Sequence, residues 1–161
     1  MIAQLHADKT PPSRPAAITR FQRLFHVAAG LHIDKTDIKR CEDFIDRRIY
    51  DLLLRGEANA KASGALIIEP QNLPITKGLQ ENIHVFKKMD EAIALQPILD
   101  GLARLPPFEL LYSEETESKL PEIAGGLCVA LARVLKTTDP ELKNPQIKHW
   151  DCASQIFDLL L

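Results

Sequence analysis

Apolar residues return every three or four positions along most of this chain, the period of helices that bury one face. Ile18, Phe21, Leu24, Phe25 and Ala28 form the first such face, beginning near Ala16 and stopped by Gly30, a residue suited to the left-handed turn that ends helices. A brief extended piece, Leu31-His32-Ile33, leads to a second helix opened by Thr36, with Asp34 and Asp37 as further capping groups. Its stripe of Ile38, Cys41, Ile45, Ile49, Leu52, Leu53 and Gly56 belongs to a helix of about 27 residues that ends at Gly64. On the opposite face Lys39–Asp43, Asp43–Arg47, Arg47–Asp51 and Asp51–Arg55 stand four apart, a spacing at which ion pairs support a helix by about 0.3–0.5 kcal/mol each. Ala65-Leu66-Ile67-Ile68, held between Gly64 and Pro70, is too short for a helix and predicts a strand. A third helix follows, capped by Asn72, with Pro74 in its first turn and Ile75, Leu79, Ile83 and Phe86 along one face.

The remainder of the chain repeats this order. Ile93, Pro97, Ile98 and Leu102 make a short helix ended by Leu105-Pro106-Pro107, and Phe108–Tyr112 is extended. Ser113 opens a long helix whose first turn holds Glu114 and Glu115, where the helix dipole favours acids. Its stripe is Leu120, Ile123, Leu127, Ala130, Leu131 and Val134. Asp139-Pro140 and Asn144-Pro145 punctuate a loop, and residues 149–161 form a last helix through Trp150, Ala153, Ile156, Phe157 and Leu160. Corresponding elements lie about 73–78 residues apart, which points to an internal structural duplication.

From Ile123 to Leu135 the second long helix carries one charge, Arg133, so it must be enclosed on nearly all sides. Two short helices cannot cover it; the first long helix must cross it. The expected fold is all-α, with residues 1–14 a flexible tail and 15–161 one domain made of two triplets, 15–89 and 90–161. Neither triplet is expected to fold alone.

Composition narrows the class. The chain has 161 residues, 45% of them hydrophobic and 26% charged, as one soluble domain would. Met1 to Arg14 holds His6, Asp8, Lys9, Pro11 and Pro12, with Pro15 just beyond, and offers no apolar stretch for a secretory signal. Apolar runs are too short to span a bilayer, and the expected location is cytoplasmic. Cys41, Cys128 and Cys152 are odd in number and widely spaced, so each reads as a buried thiol within an apolar helical pattern. The net charge of −2 conceals an asymmetry: residues 1–61 carry 11 Lys/Arg against 8 Asp/Glu, and residues 62–161 carry 9 against 14. A protein that coats DNA is usually basic throughout; this one is not.

Short, long and short helices with a strand-like loop on either side of the long one resemble the histone fold. "RFQRLFHVAAG" is similar to the first helix of archaeal histones, and "DIKRCEDFIDRRIYDLLLRGEANAKASG" to their central helix in length and terminal glycine. Together with "LPITKGLQENI", "LPEIAGGLCVALARVLK", "DPELKNP" and "IFDLLL", the chain resembles a family of uncharacterised bacterial proteins in which tandem histone folds form a pseudo-dimer within one chain. The resemblance covers residues 15–161. It implies an intramolecular handshake with Leu31–Ile33 beside Gln146–Lys148 at one end and Leu66–Ile68 beside Phe108–Leu111 at the other.

In archaeal histones such paired loops, with the first-helix N-termini, hold DNA phosphates. Where those proteins have an Arg-Lys-Thr run after the central helix, this chain has Ala65-Leu66-Ile67, and Glu109, Glu114, Glu115 and Glu117 surround the partner loop. Phosphate is repelled there. The other end keeps Lys35, Lys143 and Lys148, and the first helix keeps Arg20 and Arg23 with Arg14 before it. The resemblance therefore implies weak, salt-dependent contact with duplex DNA through these six residues, set against a protein-interaction module that has abandoned DNA. Scattered surface Lys and Arg are more often simply solvated.

No catalytic or cofactor pattern competes. Glu81-x-x-His84 has di-iron spacing, but a bundle site needs a second copy and two further carboxylates. His26, His32 and His149 have no ligand partners at metal spacing. Gly125-Gly126 lacks the Lys-Ser/Thr of a phosphate loop and suits a close helix crossing instead. Lys77-Gly78 at a helix start is a weak anion site at most. No nucleophile elbow and no placeable Cys–His pair are present. The expectation is a non-enzymatic protein without metal or cofactor.

Overall fold

Helix α1 (Arg14–Ala29) begins directly after Ser13, with Pro15 in the first turn, where a missing N–H costs nothing. Arg14 is thus helical and not part of a tail. The computed structural model describes residues 13–100 and 109–161. The expected tail at residues 1–12, and Leu102 and Leu105–Phe108 of the second triplet, lie outside the described residues. Gly30 takes φ +64° and closes α1 by donating to His26 O at 2.8 Å.

Helix α2 (Lys35–Ala62) is capped by Asp34, not Thr36. Asp34 Oδ1 accepts from Asp37 N at 2.8 Å, and Asp37 Oδ2 accepts from Asp34 N at 3.0 Å. Gly64, φ +73°, then turns the chain into β1 (Ile67–Ile68) and a single 3-10 turn at Pro70–Asn72. Asn72 does not cap the next helix. Its Oδ1 accepts from Glu69 N at 2.8 Å within the 3-10 turn, and α3 (Lys77–Ile93) is capped by Thr76, whose hydroxyl accepts from Leu79 N at 3.2 Å.

Ala94 ends α3 in the left-handed region, φ +56°. Short α4 (Gln96–Asp100) and β2 (Leu111–Tyr112) precede α5 (Glu114–Thr138), where Ser113 Oγ accepts from Thr116 N at 3.1 Å as the cap. Helix α6 (Ile147–Leu160) starts two residues earlier than its apolar stripe suggests, because His149 Nδ1 accepts the Gln146 N–H at 2.8 Å and folds the first turn back.

Helix α5 is the axis of the molecule. Every residue from Ile123 to Ala132 is buried, as its nearly chargeless sequence demands. Helix α3 crosses it at Gly125-Gly126, where Phe86 and Ile83 occupy the space that side chains would need. Helices α1 and α4 also pack on α5, and α2 meets it through Cys41 and Cys128, whose sulfurs lie 3.6 Å apart. Helix α6 packs on α5 and also reaches α2 through side chains. Phe157 meets Phe44 edge-on at 4.8 Å between ring centroids, and Trp150 Nε1 donates to Asp37 Oδ1 at 2.9 Å. Helices from early in the chain therefore wrap the second long helix, the last helix touches both long helices, and one continuous core results.

Charges are used differently from the ladder that the spacing suggested. Lys39–Asp43 pairs at 2.8 Å, but Arg47 reaches Asp158 on α6 at 3.5 Å, and Asp51 faces Arg48 at 4.0 Å. Arg48, 3% exposed, lies over the rings of Phe44 and Phe157 and donates to Asp158 Oδ1 at 2.7 Å and Ser154 O at 3.2 Å. Tertiary docking has taken over the partners that an isolated helix would use along its own face. Asp37 is buried enough that desolvation raises its pKa despite the N–H bonds that favour its carboxylate. Cys41 and Cys128 are buried as expected; Cys152 is exposed.

Candidate nucleic-acid interface

Two backbone junctions define the ends of the molecule. At one, β1 and β2 pair in parallel with Ile67 opposite Leu111 and Ile68 opposite Tyr112. At the other, His32 N donates to Lys143 O at 2.7 Å, tying the α1–α2 loop to the α5–α6 loop. The first junction falls one residue beyond the expected register. The second meets the α5–α6 loop at Lys143 rather than at Gln146–Lys148, because residues 147 and 148 are already in the first turn of α6.

Lys143 belongs to the second junction, Lys35 is the first residue of α2 beside it, and Lys148 lies in the first turn of α6. All three are exposed, as is Arg23 on α1, and among the described residues none of the four has a carboxylate within ion-pair distance. His26 and His32 stand at this end too, ring centroids 5.3 Å apart. Acids are interspersed: Asp34 caps α2, Asp139 faces His149 at 3.5 Å, and Glu141 is exposed. Lys136 Nζ donates to Leu142 O at 2.7 Å and fixes the loop that carries Lys143.

Arg14 and Arg20 do not join this group. Arg14 donates to Glu42 at 3.1 Å, and Arg20 donates to Ala94 O at 2.9 Å, steadying the left-handed residue that ends α3. Both are structural partners whose role depends on distant contacts that spacing alone does not reveal. Of the six residues, four have no ion-pair partner among the described residues.

The β1–β2 end has the opposite character. Leu66 and Leu111 are 82% and 78% exposed, and Glu109, Glu114, Glu115 and Glu117, on either side of β2 in the chain, are exposed as well. Lys61 pairs with Glu109, which holds that carboxyl below its ordinary range, and with Glu57 at 3.5 Å; Glu57 in turn accepts from Leu110 N at 3.0 Å. Thr116, fully buried, donates to Ile68 O at 2.9 Å, and Ser113 N donates to the same oxygen at 3.1 Å. Sequence reading missed Thr116 and Glu57, since a Thr in a first turn and a Glu on a charged face look ordinary until β1 is placed beside them.

The remaining candidates are dispersed. Glu81 pairs with Lys77 at 3.6 Å, and Glu81 and His84 are both exposed. Among the described residues no helix is long and apolar enough to cross a membrane.

Fold and ends together define an all-α protein with two long, mutually packed helices and two chemically unlike junctions. The chain belongs to the family described as a domain of unknown function, DUF1931, matched over residues 21–158. A crystal structure of a protein from Thermus thermophilus is 51% identical, with a TM-score of 0.80, covering 89% of this chain and 97% of that one. A 1.9 Å crystal structure of an Aquifex aeolicus protein is 25% identical, also with a TM-score of 0.80, over 92% and 97% of the two chains. An uncharacterised protein from Aquifex aeolicus strain VF5 is 26% identical over 145 residues, 90% of this chain and 84% of its own.

Proposed function

We propose that this is a non-enzymatic, histone-like protein in which tandem histone folds form a pseudo-dimer within one chain, and that it contacts duplex DNA through one end. The observation that carries this reading is the His32–Lys143 backbone bond, which gathers Lys35, Lys143 and Lys148 at a single junction. Paired loops beside the starts of two helices suit phosphate oxygens, since backbone N–H groups and the helix dipole add to the lysine charges. The parallel β1–β2 pairing supports the pseudo-dimer, because it joins the loop after the first long helix to the loop before the second. The cytoplasm, and the nucleoid within it, is the location that fits.

Binding through so few cations is weak and steeply salt-dependent. With three lysines removed, the slope of log K against log salt should become shallower by about 2–3, near 0.9 for each phosphate no longer neutralised. Titration of Lys35→Ala/Lys143→Ala/Lys148→Ala and of the natural chain with a duplex at several salt concentrations measures this. No binding by the natural chain at low salt, or identical slopes for the two proteins, refutes the reading.

A second reading draws on the β1–β2 end, where Leu66, Ile67 and Leu111 are exposed and the flanking segments carry exposed Glu109, Glu114, Glu115 and Glu117. Such a surface suits a protein partner and repels phosphate, which makes the molecule an interaction module. Nuclease-treated affinity capture separates the two: nucleic acid without a protein partner counts against the module.

A further inference from the structure

We propose that Cys41 and Cys128 form a redox-sensitive lock that ties the two long helices together by an intramolecular disulfide. The inference is independent of whether DNA binds. Cys41 lies in the second turn of α2 and Cys128 near the middle of α5, both at 0% exposure, with their sulfurs 3.6 Å apart. A disulfide is about 2.05 Å long, so the sulfurs need to approach by about one and a half ångströms, within reach of side-chain rotation and a small helix shift. These residues are 87 apart in sequence and sit where α2 meets α5. A bond here therefore closes a long loop and joins an early element to a late one, the arrangement in which a cross-link most restricts the open chain.

Access makes this a lock and not a standing bond. The thiolate is the reactive form, and the hydrogen bond with Cys128, together with burial, pushes the Cys41 thiol well above its ordinary pKa. In the closed molecule the pair is inert. A transient separation of α2 and α5 lets a small two-electron oxidant, a peroxide, reach it. One thiolate attacks a peroxide oxygen, breaking the O–O bond, forming a sulfenic acid and releasing hydroxide, which takes up that thiol's proton as water. The second thiolate then attacks the sulfenic sulfur; the S–S bond forms, the S–O bond breaks, and the departing hydroxide and second proton give another water. Two thiols are oxidised and one peroxide is reduced to two waters. A dithiol reverses the step by exchange.

The exposed third thiol supplies the contrast. Cys152→Ser removes it and leaves the buried pair intact. That variant, treated with hydrogen peroxide under native conditions, then denatured, alkylated and digested, should yield a peptide linking Cys41 to Cys128 and a chain lighter by two hydrogen atoms. The linked form should have a higher urea midpoint and globally exchanging amides slowed about a hundredfold or more, both reversed by dithiothreitol. The proposal is overturned by oxidation of either cysteine to sulfinic acid without the link. It is equally overturned if both thiols stay free at peroxide levels that fully oxidise Cys152 in the natural chain, or if a linked form has a lowered midpoint.

Discussion

The α3–α5 crossing makes the sharpest claim about how this sequence builds its core, and Gly126→Ala tests it. A Cβ at Gly126 would stand 2.9 Å from both Cα and N of Ile83, so the obstacle is backbone rather than a side chain that can swing away. Ordinary carbon contact needs roughly 3.5–4.0 Å, and α3 would have to retreat by most of an ångström. Overpacking in a dense core costs about 1–3 kcal/mol, and a backbone clash belongs at the upper end. Against this, alanine gains about 1 kcal/mol over glycine in a helix interior. The net expectation is a destabilisation of about 2 kcal/mol. With a urea m-value of about 2 kcal/mol/M, the midpoint should fall by about 1 M.

Gly78→Ala is the matched control. Gly78 is in the first turn of the same α3 helix, and nothing lies within 4 Å of the position its Cβ would take. Propensity acts there without steric opposition, so the variant should be stabilised by up to about 1 kcal/mol. Equilibrium urea unfolding followed by circular dichroism measures both. Opposite signs are required. If Gly126→Ala matched or exceeded the natural chain in stability, α3 could not pass over α5 as closely as described, and the account of this core would be wrong.

Two further outcomes follow from the shared core and its buried groups. Fragments 13–94 and 95–161 should each lack a cooperative transition and should regain one when mixed, because α3 and α5 bury their main faces against each other; the single Trp150, buried against Asp37, reports assembly by fluorescence, and a fragment that melts cooperatively alone refutes the idea. Asp37→Asn should be less stable than the natural chain, since the amide NH2 cannot accept and must face one of two donors, Asp34 N and Trp150 Nε1, that Asp37 meets with an oxygen whether or not it is protonated. Because burial raises the Asp37 pKa, its proton-linked contribution is present below the ordinary value of 3.8 and is lost as pH rises through the raised one. The variant's deficit should therefore be largest in acid and shrink toward neutrality; a deficit that grows with pH in urea midpoints contradicts this.

Much of the fold was legible because it depends on local signals. Gly30 and Gly64 adopt the left-handed turns that their positions imply, Ser113 caps α5, and Gly125-Gly126 admits α3. What escaped were choices settled by distant partners. Asn72 and Thr76 are both good caps, and the chain uses Thr76 because Asn72 is already bound to Glu69 N in the 3-10 turn. Arg47 leaves the predicted ladder because Asp158 arrives from another helix. The candidate site divided in the same way. Lys35, Lys143 and Lys148 could be placed from the ends of their elements, whereas Arg14 and Arg20 looked equally available until Glu42 and the Ala94 carbonyl were seen beside them.

The two junctions show why shared architecture leaves function undetermined. His32 N to Lys143 O and the β1–β2 ladder are backbone pairings, so neither is specified by the side chains that project nearby. Those side chains can change sign without disturbing the clasp. At the β1–β2 end the supporting polar groups, Thr116, Ser113 and Glu57, bond inward to backbone, while Leu66, Leu111 and the flanking glutamates face outward. At the lysine end His149 and Lys136 fix the loop, and among the described residues no carboxylate pairs with Lys35, Lys143 or Lys148. Inward groups hold the architecture and outward groups set what each end can meet, so one frame carries an apolar end with exposed glutamates and another end with exposed lysines.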